Sequence, residues 1–184
     1  INGQDGANTM VLIDGLPLVS GLSSVYGLSG IPQSLIKQIE IIKGPASTLY
    51  GSEAIGGGIN LITKSTENVD NFSLDTFTSF WGELNIDIGS RYNLKKSQGI
   101  IGVNYFNYSN PIDNNGDGFT DLALQHRISI FNKINSKNNN LAFRYFYEDR
   151  WGGQMNWNSS FRGGNQIYGE SIYTSRFEVF GKYN

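Results

Sequence analysis

From residue 72 to residue 183 the chain falls into six alternating runs, several with apolar side chains at a clean period of two, separated by polar or glycine-containing segments. The runs span 72–80, 84–94, 99–108, 122–134, 141–147 and 172–183. A period of two sends successive side chains to opposite faces of a strand, so each run predicts a β-strand with one apolar and one polar face. In the second run Leu84, Ile86, Ile88, Tyr92 and Leu94 share one face, and Asn85, Asp87, Arg91 and Asn93 share the other. In the fifth, Leu141, Phe143, Tyr145 and Tyr147 oppose Arg144 and Glu148. Runs of this length can cross a bilayer as tilted strands. Alternation alone equally fits a soluble β-sandwich with one wet face.

The connections carry more information. Segments 95–98 and 135–140 are short and polar, whereas 107–121 and 148–171 are long. Short and long loops on alternate ends are what a barrel with short periplasmic turns and long extracellular loops requires; only the short 81–83 connection breaks the rule. Phe80, Trp81, Tyr92, Tyr105, Tyr108, Tyr147, Trp151 and Tyr183 lie near strand ends, where aromatic girdles form. No apolar stretch reaches the ~18 residues of a transmembrane helix, which leaves a barrel open. With 23 Gly and only 4 Pro, the composition suits a β-rich chain with many turns.

Several function classes drop out. A net charge of −2 gives no basic surface for nucleic acid. The absence of cysteine removes thiol catalysis, disulfides and Cys-based metal sites. No nucleophile–base–acid set is evident, so no enzymatic chemistry is expected. The start INGQDGANTMVLIDG reads as mid-domain, and GKYN follows an alternating run directly, so both ends read as truncations.

Residues 1–66 have a different grammar. Met10 to Ile13 predicts a short buried strand closed by Asp14-Gly15, and Gln38 to Ile42 a second strand. Ile59 to Thr63 predicts a third, preceded by Gly56-Gly57-Gly58. Pro32 marks a helical turn over 31–36, and a short helix is expected over 46–50. Short strands alternating with short helices indicate a small α+β unit. The predicted fold class is thus an α+β fragment over 1–66 followed, over 67–184, by about six antiparallel strands of a partial transmembrane β-barrel.

Residues 36–64, IKQIEIIKGPASTLYGSEAIGGGINLITK, resemble the end of the plug domain in TonB-dependent outer-membrane receptors. There a strand, a Gly-Pro turn, a Leu-Tyr-Gly element and a Gly-rich strand follow in this order. VLIDGLPL, residues 11–18, resembles the preceding plug strand and turn. The element Tyr50-Gly51-Ser52-Glu53-Ala54 is closer to siderophore, haem, cobalamin and colicin receptors than to glycan importers of the SusC type. The resemblance implies active uptake of a scarce metal chelate (siderophore, haem or cobalamin) across the bacterial outer membrane. Its implied partners are outer-membrane lipid and the TonB–ExbB–ExbD complex, reached through a segment upstream of Ile1. In family terms the stretch between Gly15 and Ile31 covers a plug loop facing the vestibule, so Ser20, Ser23, Ser24 and Tyr26 are the expected ligand contacts.

A second candidate site needs no family. Asp113, Asn115, Asp117 and Asp121 place oxygens at relative positions one, three, five and nine, with Phe119 offering its carbonyl at seven. That spacing matches the front of a calcium loop, although Leu124 stands where an EF-hand has Glu. The alternative is a turn-rich loop, because Asn-Gly and Asp-Gly are ordinary turn formers. His126, the only histidine, shares a face with Leu124, Ile128 and Ile130, which argues against a metal ligand and for an interface position. Glu148, Asp149 and Arg150 read as solvated loop charge, and Trp151, Trp157 and Phe161 as either a ligand path or a boundary anchor. A secreted calcium-binding adhesion protein would also account for the acidic loop and the alternation, but not for residues 36–64.

Overall fold

The computed structural model describes residues 3, 8–18, 31–44, 54–137 and 139–183. Its first unit is a four-stranded sheet of β1 (Thr9–Ile13), β2 (Leu16–Pro17), β3 (Ile36–Lys43) and β4 (Gly57–Thr63), in the order β2-β1-β4-β3. β1 runs parallel to β4, and the other two pairs are antiparallel. The TMVLI run of β1 is buried at every residue, which is why it sits inside the sheet. Asp14 and Gly15 form a two-residue turn with φ of 50° and 80°, the backbone that a tight hairpin requires and that Asp-Gly tolerates. The Asp14 carboxylate then accepts from Thr63 N at 2.8 Å and Thr63 Oγ1 at 2.7 Å, tying the turn to the end of β4.

Two local expectations change. The helical turn at Pro32 is confined to a 3-10 turn, Gln33–Leu35, and Ile36 already begins β3. Leu35 O accepts from Lys64 N at 2.8 Å, which fixes the chain alongside β4 in extended form, as the β-branched isoleucines prefer. The Gly57-Gly58 pair lies within β4 rather than before it. Gly57 has φ of 118° and passes so close to the Ile42 carbonyl that a Cβ would collide with it. The helix expected over 46–50 lies outside the described residues.

The second unit is an antiparallel meander of β5 (Ser73–Thr78), β6 (Leu84–Leu94), β7 (Ser97–Tyr108), β8 (Leu124–Ser136), β9 (Asn139–Gly153) and β10 (Gly169–Tyr183). Each strand pairs with its sequence neighbour, so β5 and β10 are edges. Two-residue turns join β6 to β7 and β8 to β9 at one end; loops 109–123 and 154–168 lie at the other. The short β5–β6 connection belongs to the long-loop end, where Asn110 Nδ2 donates to Trp81 O at 3.3 Å. The last loop is shorter than predicted, because β9 carries Glu148, Asp149 and Arg150 in register with β8 and β10. Glu148 is no solvated loop charge: it is 1% exposed and accepts from Gln125 Nε2.

The wall is folded inside out. Asp87, Asn104, Ser129, Phe146 and Arg176 form one cross-strand row on the concave face; Ile88, Val103, Ile130, Tyr145 and Phe177 form the adjacent row on the convex face. Asp87, Asn104 and Ser129 are buried, whereas Ile88, Ile130 and Phe177 are exposed. Water does not select such a surface, but lipid does. Tyr105, Tyr147 and Tyr173 line the convex face near the long-loop end, whereas Tyr108, placed with the girdle by sequence, points inward and is buried. The concave face packs on the first unit through one shared core containing Val11, Ile13 and Leu61 from the sheet, Leu35 from the 3-10 turn, and Ile100, Phe131 and Ala142 from the wall.

Candidate functional site

Two polar anchors hold the small sheet to the wall. Asp87, on the concave face of β6, accepts from Gln33 N at 2.7 Å, Ser34 N at 3.2 Å and the Ser34 hydroxyl. These bonds satisfy a carboxylate that is 2% exposed and fix the 3-10 turn against the wall. Gly102 makes the approach possible, since a Cβ there would lie 2.7 Å from Leu35 Cδ1 and 2.9 Å from Pro32 Cγ. On the short-turn side, Lys133 Nζ lies 2.7 Å from Asp14 Oδ2 and donates to Thr63 Oγ1 at 2.8 Å. Any displacement of the sheet must break both anchors, leaving charges without partners in a partly buried seam.

Towards the long-loop end, a cavity of about 670 Å³ opens above the first anchor. Gln33, Asn85, Asn104 and Arg127 supply its polar lining, and isoleucines of β3 and β4 its apolar floor. The Arg127 guanidinium lies over the Phe106 ring, 4.8 Å from its centroid. Asn104 Nδ2 donates to Asn85 Oδ1 at 2.9 Å, while Asn104 Oδ1 and Arg127 Nε are buried without a hydrogen-bond partner among the described residues. A second cavity of about 640 Å³ lies at the mouth, lined by Thr120, Arg150, Trp151, Tyr168 and Glu170 among others. Tyr168 Oη donates to Glu170 Oε1 at 2.9 Å, and that hydrogen bond, with the carboxylate's charge, raises the phenol above its ordinary pKa and keeps it protonated. Apolar walls with a few convergent polar groups suit an organic ligand bearing anionic oxygens.

The expected ligand contacts Ser20, Ser23, Ser24 and Tyr26 lie outside the described residues. The acidic loop is described in full, and its side chains turn onto its own backbone. Asp113 accepts from the amides of Gly116, Asp117 and Gly118 at 2.7–3.2 Å; Asp121 Oδ2 accepts from Asn114 N and Nδ2 at 2.8 Å. Asn115 Nδ2 donates to Asp117 Oδ2 at 2.9 Å, and Phe119 N to Asp117 Oδ1 at 2.8 Å. Among the described residues no three Asp, Glu, His or Cys side chains converge for a metal ion. His126 Nε2 lies 2.8 Å from Tyr105 Oη on the convex face near the long-loop end. Trp157 is buried and packs near Trp151, ring centroids 6.4 Å apart, so it anchors the last loop.

Sequence reading did not single out Arg127, Asn104 or Tyr168, and it took Arg150 for solvated loop charge. The first two sit on the polar parity of their runs, a signal that becomes useful only once the polar face is known to point inward.

Residues 1–58 match the family described as the TonB-dependent Receptor Plug Domain. The chain is 38% identical over 89 residues to the probable TonB-dependent siderophore receptor PirA of Acinetobacter baumannii, covering 43% of this chain and 12% of that protein. A crystal structure of a mutant ferric enterobactin receptor PfeA from Pseudomonas aeruginosa, in complex with enterobactin, superposes with a TM-score of 0.63 at 18% identity. That match covers the whole chain and 32% of PfeA. The siderophore receptor PiuA from A. baumannii gives 0.57 at 20% identity, over 87% of this chain and 22% of PiuA. The chain therefore spans a third or less of the length of these relatives. Its first 58 residues match that plug-domain family, and the strands that follow share the fold of the wall strands in these structures. These relatives are named as receptors, not enzymes.

Proposed function

We propose that the chain is the plug and first wall strands of a receptor that takes up a ferric siderophore by TonB-dependent transport. The observation that carries this reading is the seating of the plug. Its sheet is pinned to the wall by Asp87 and Lys133, with a cavity on the long-loop side between the two units. Ligand enters by the mouth, where Arg150 and Tyr168 meet it, and reaches Arg127 and Asn104 in the polar lining of the cavity. Pulling on the plug by TonB–ExbB–ExbD, through a segment upstream of Ile1, breaks the two anchors and opens a path. A siderophore is favoured over haem or cobalamin because the similar proteins are siderophore receptors by name.

Uptake of an iron-labelled siderophore by cells expressing the receptor that carries this segment tests the reading. Arg127→Ala should lower uptake at subsaturating ligand by roughly tenfold or more, the loss of one charge-assisted contact. Iron uptake that is the same with and without the receptor, or a receptor that carries only haem or cobalamin, would overturn it.

Calcium in the 113–121 loop belongs to the same proposal: the carboxylates of Asp113, Asp117 and Asp121 keep lone pairs beyond those their amide donors use. Calorimetric titration should show calcium uptake that Asp117→Ala abolishes; equal uptake by both proteins removes the ion.

A further inference from the structure

The short-turn end of the wall collects positive charge. Lys95 and Lys96 form the β6–β7 turn, and Lys137 opens the β8–β9 turn. Leu94 pairs with Ser97 and Ser97 with Ser136, which sets the two hairpin tips side by side. All three lysines are exposed and line one open cleft of about 540 Å³, together with Leu94, Ser97 and Ser136. No acidic side chain lines it, and among the described residues none of these ammonium groups has an ion-pair partner. Three cations drawn to one cleft repel one another unless an anion joins them.

The surroundings of the cleft identify the anion's source. Leu94 forms one lip and lies 55% exposed on the convex face, where the row of Tyr92, Gly99, Ile134 and Leu141 follows it. The apolar belt of the wall therefore ends where the lysines begin, at the depth of lipid headgroups. A free phosphate has no use for the apolar lip. A phospholipid has: its phosphate reaches Lys95, Lys96 and Lys137 and the hydroxyls of Ser97 and Ser136, while an acyl chain lies along Leu94 and Leu141.

We propose that this cleft binds the headgroup of an anionic phospholipid in the leaflet next to the short turns. The proposal rests on the membrane-spanning fold alone and not on the transported ligand.

Native mass spectrometry of the detergent-purified receptor that carries this segment tests it, with phosphatidylglycerol and phosphatidylethanolamine offered in equal amounts. The receptor should retain phosphatidylglycerol in preference. K95Q/K96Q/K137Q should bind it roughly a hundredfold more weakly, from the ~1 kcal/mol each lysine contributes beside a charged headgroup. K95R/K96R/K137R should keep the preference, which separates charge from damage to the turns. K37Q/K43Q, on the exposed plug strand β3, should leave it unchanged. Undiminished phosphatidylglycerol in the glutamine variant, equal loss in K37Q/K43Q, or displacement of the lipid by an equal concentration of inorganic phosphate would overturn the proposal.

Discussion

The plug sheet and the barrel wall use the same strand chemistry and bury opposite faces. In the plug, β1 buries every residue and β4 buries Leu61 in the common core, as in any globular protein. In the wall, Ser129 is buried and its neighbour Ile130 is exposed; Asp87 is buried and Ile88 exposed. A period of two divides a strand into two faces without saying which one is inside, and the medium beyond the sheet makes that choice. The concave face is itself graded. Beneath the plug it presents Ile100, Phe131 and Ala142, and towards the mouth it presents Arg127, Glu148 and Gln125. The wall is apolar where the first sheet covers it and polar towards the long loops.

The sharpest way to break this comparison is to substitute sequence neighbours on opposite faces. Phe131→Ala empties a fully buried position beneath the plug and should cost about 3–5 kcal/mol in denaturant unfolding of the receptor in bilayers. Ile130→Arg, one residue away, should cost about 2–4 kcal/mol in the same assay because it puts a charge in lipid. A water-facing Ile130 would tolerate Arg at almost no cost, and the inside-out assignment would fail. The smallest effect belongs to the seam: Asp87→Ala removes the acceptor for Gln33 and Ser34 and should cost about 1–3 kcal/mol. Amide exchange at Gln33 and Ser34 should accelerate while exchange in β8 stays slow; unchanged exchange at those two amides would remove Asp87 as an anchor.

Much of the wall was legible in sequence. All six alternating runs are strands, and the Asp14-Gly15 turn is the tight hairpin its residues require. The misses have physical causes. Glu148 reads as loop because the alternating run ends at Tyr147, yet β9 continues to Gly153 and holds Glu148 on the concave face beside Gln125. Tyr108 lies near a strand end like the girdle residues, but its parity sends it inward. The anchors join residues 53 and 119 positions apart, separations at which local pattern carries no information. Arg127 and Asn104 become candidates for ligand contact only after the plug is seated against their face.

The orientation of the wall is the central claim, and nitroxide accessibility in lipid bilayers tests it most directly. This segment has no cysteine of its own, so Val103→Cys and Asn104→Cys can carry the label on adjacent, opposite-facing positions. The account predicts that oxygen dissolved in the bilayer relaxes the label at 103 strongly while a water-soluble nickel complex does not, and that the label at 104, on the concave face, is not relaxed by oxygen in the bilayer. A nickel complex that reaches position 103 freely would place that face in water and contradict the receptor-wall reading.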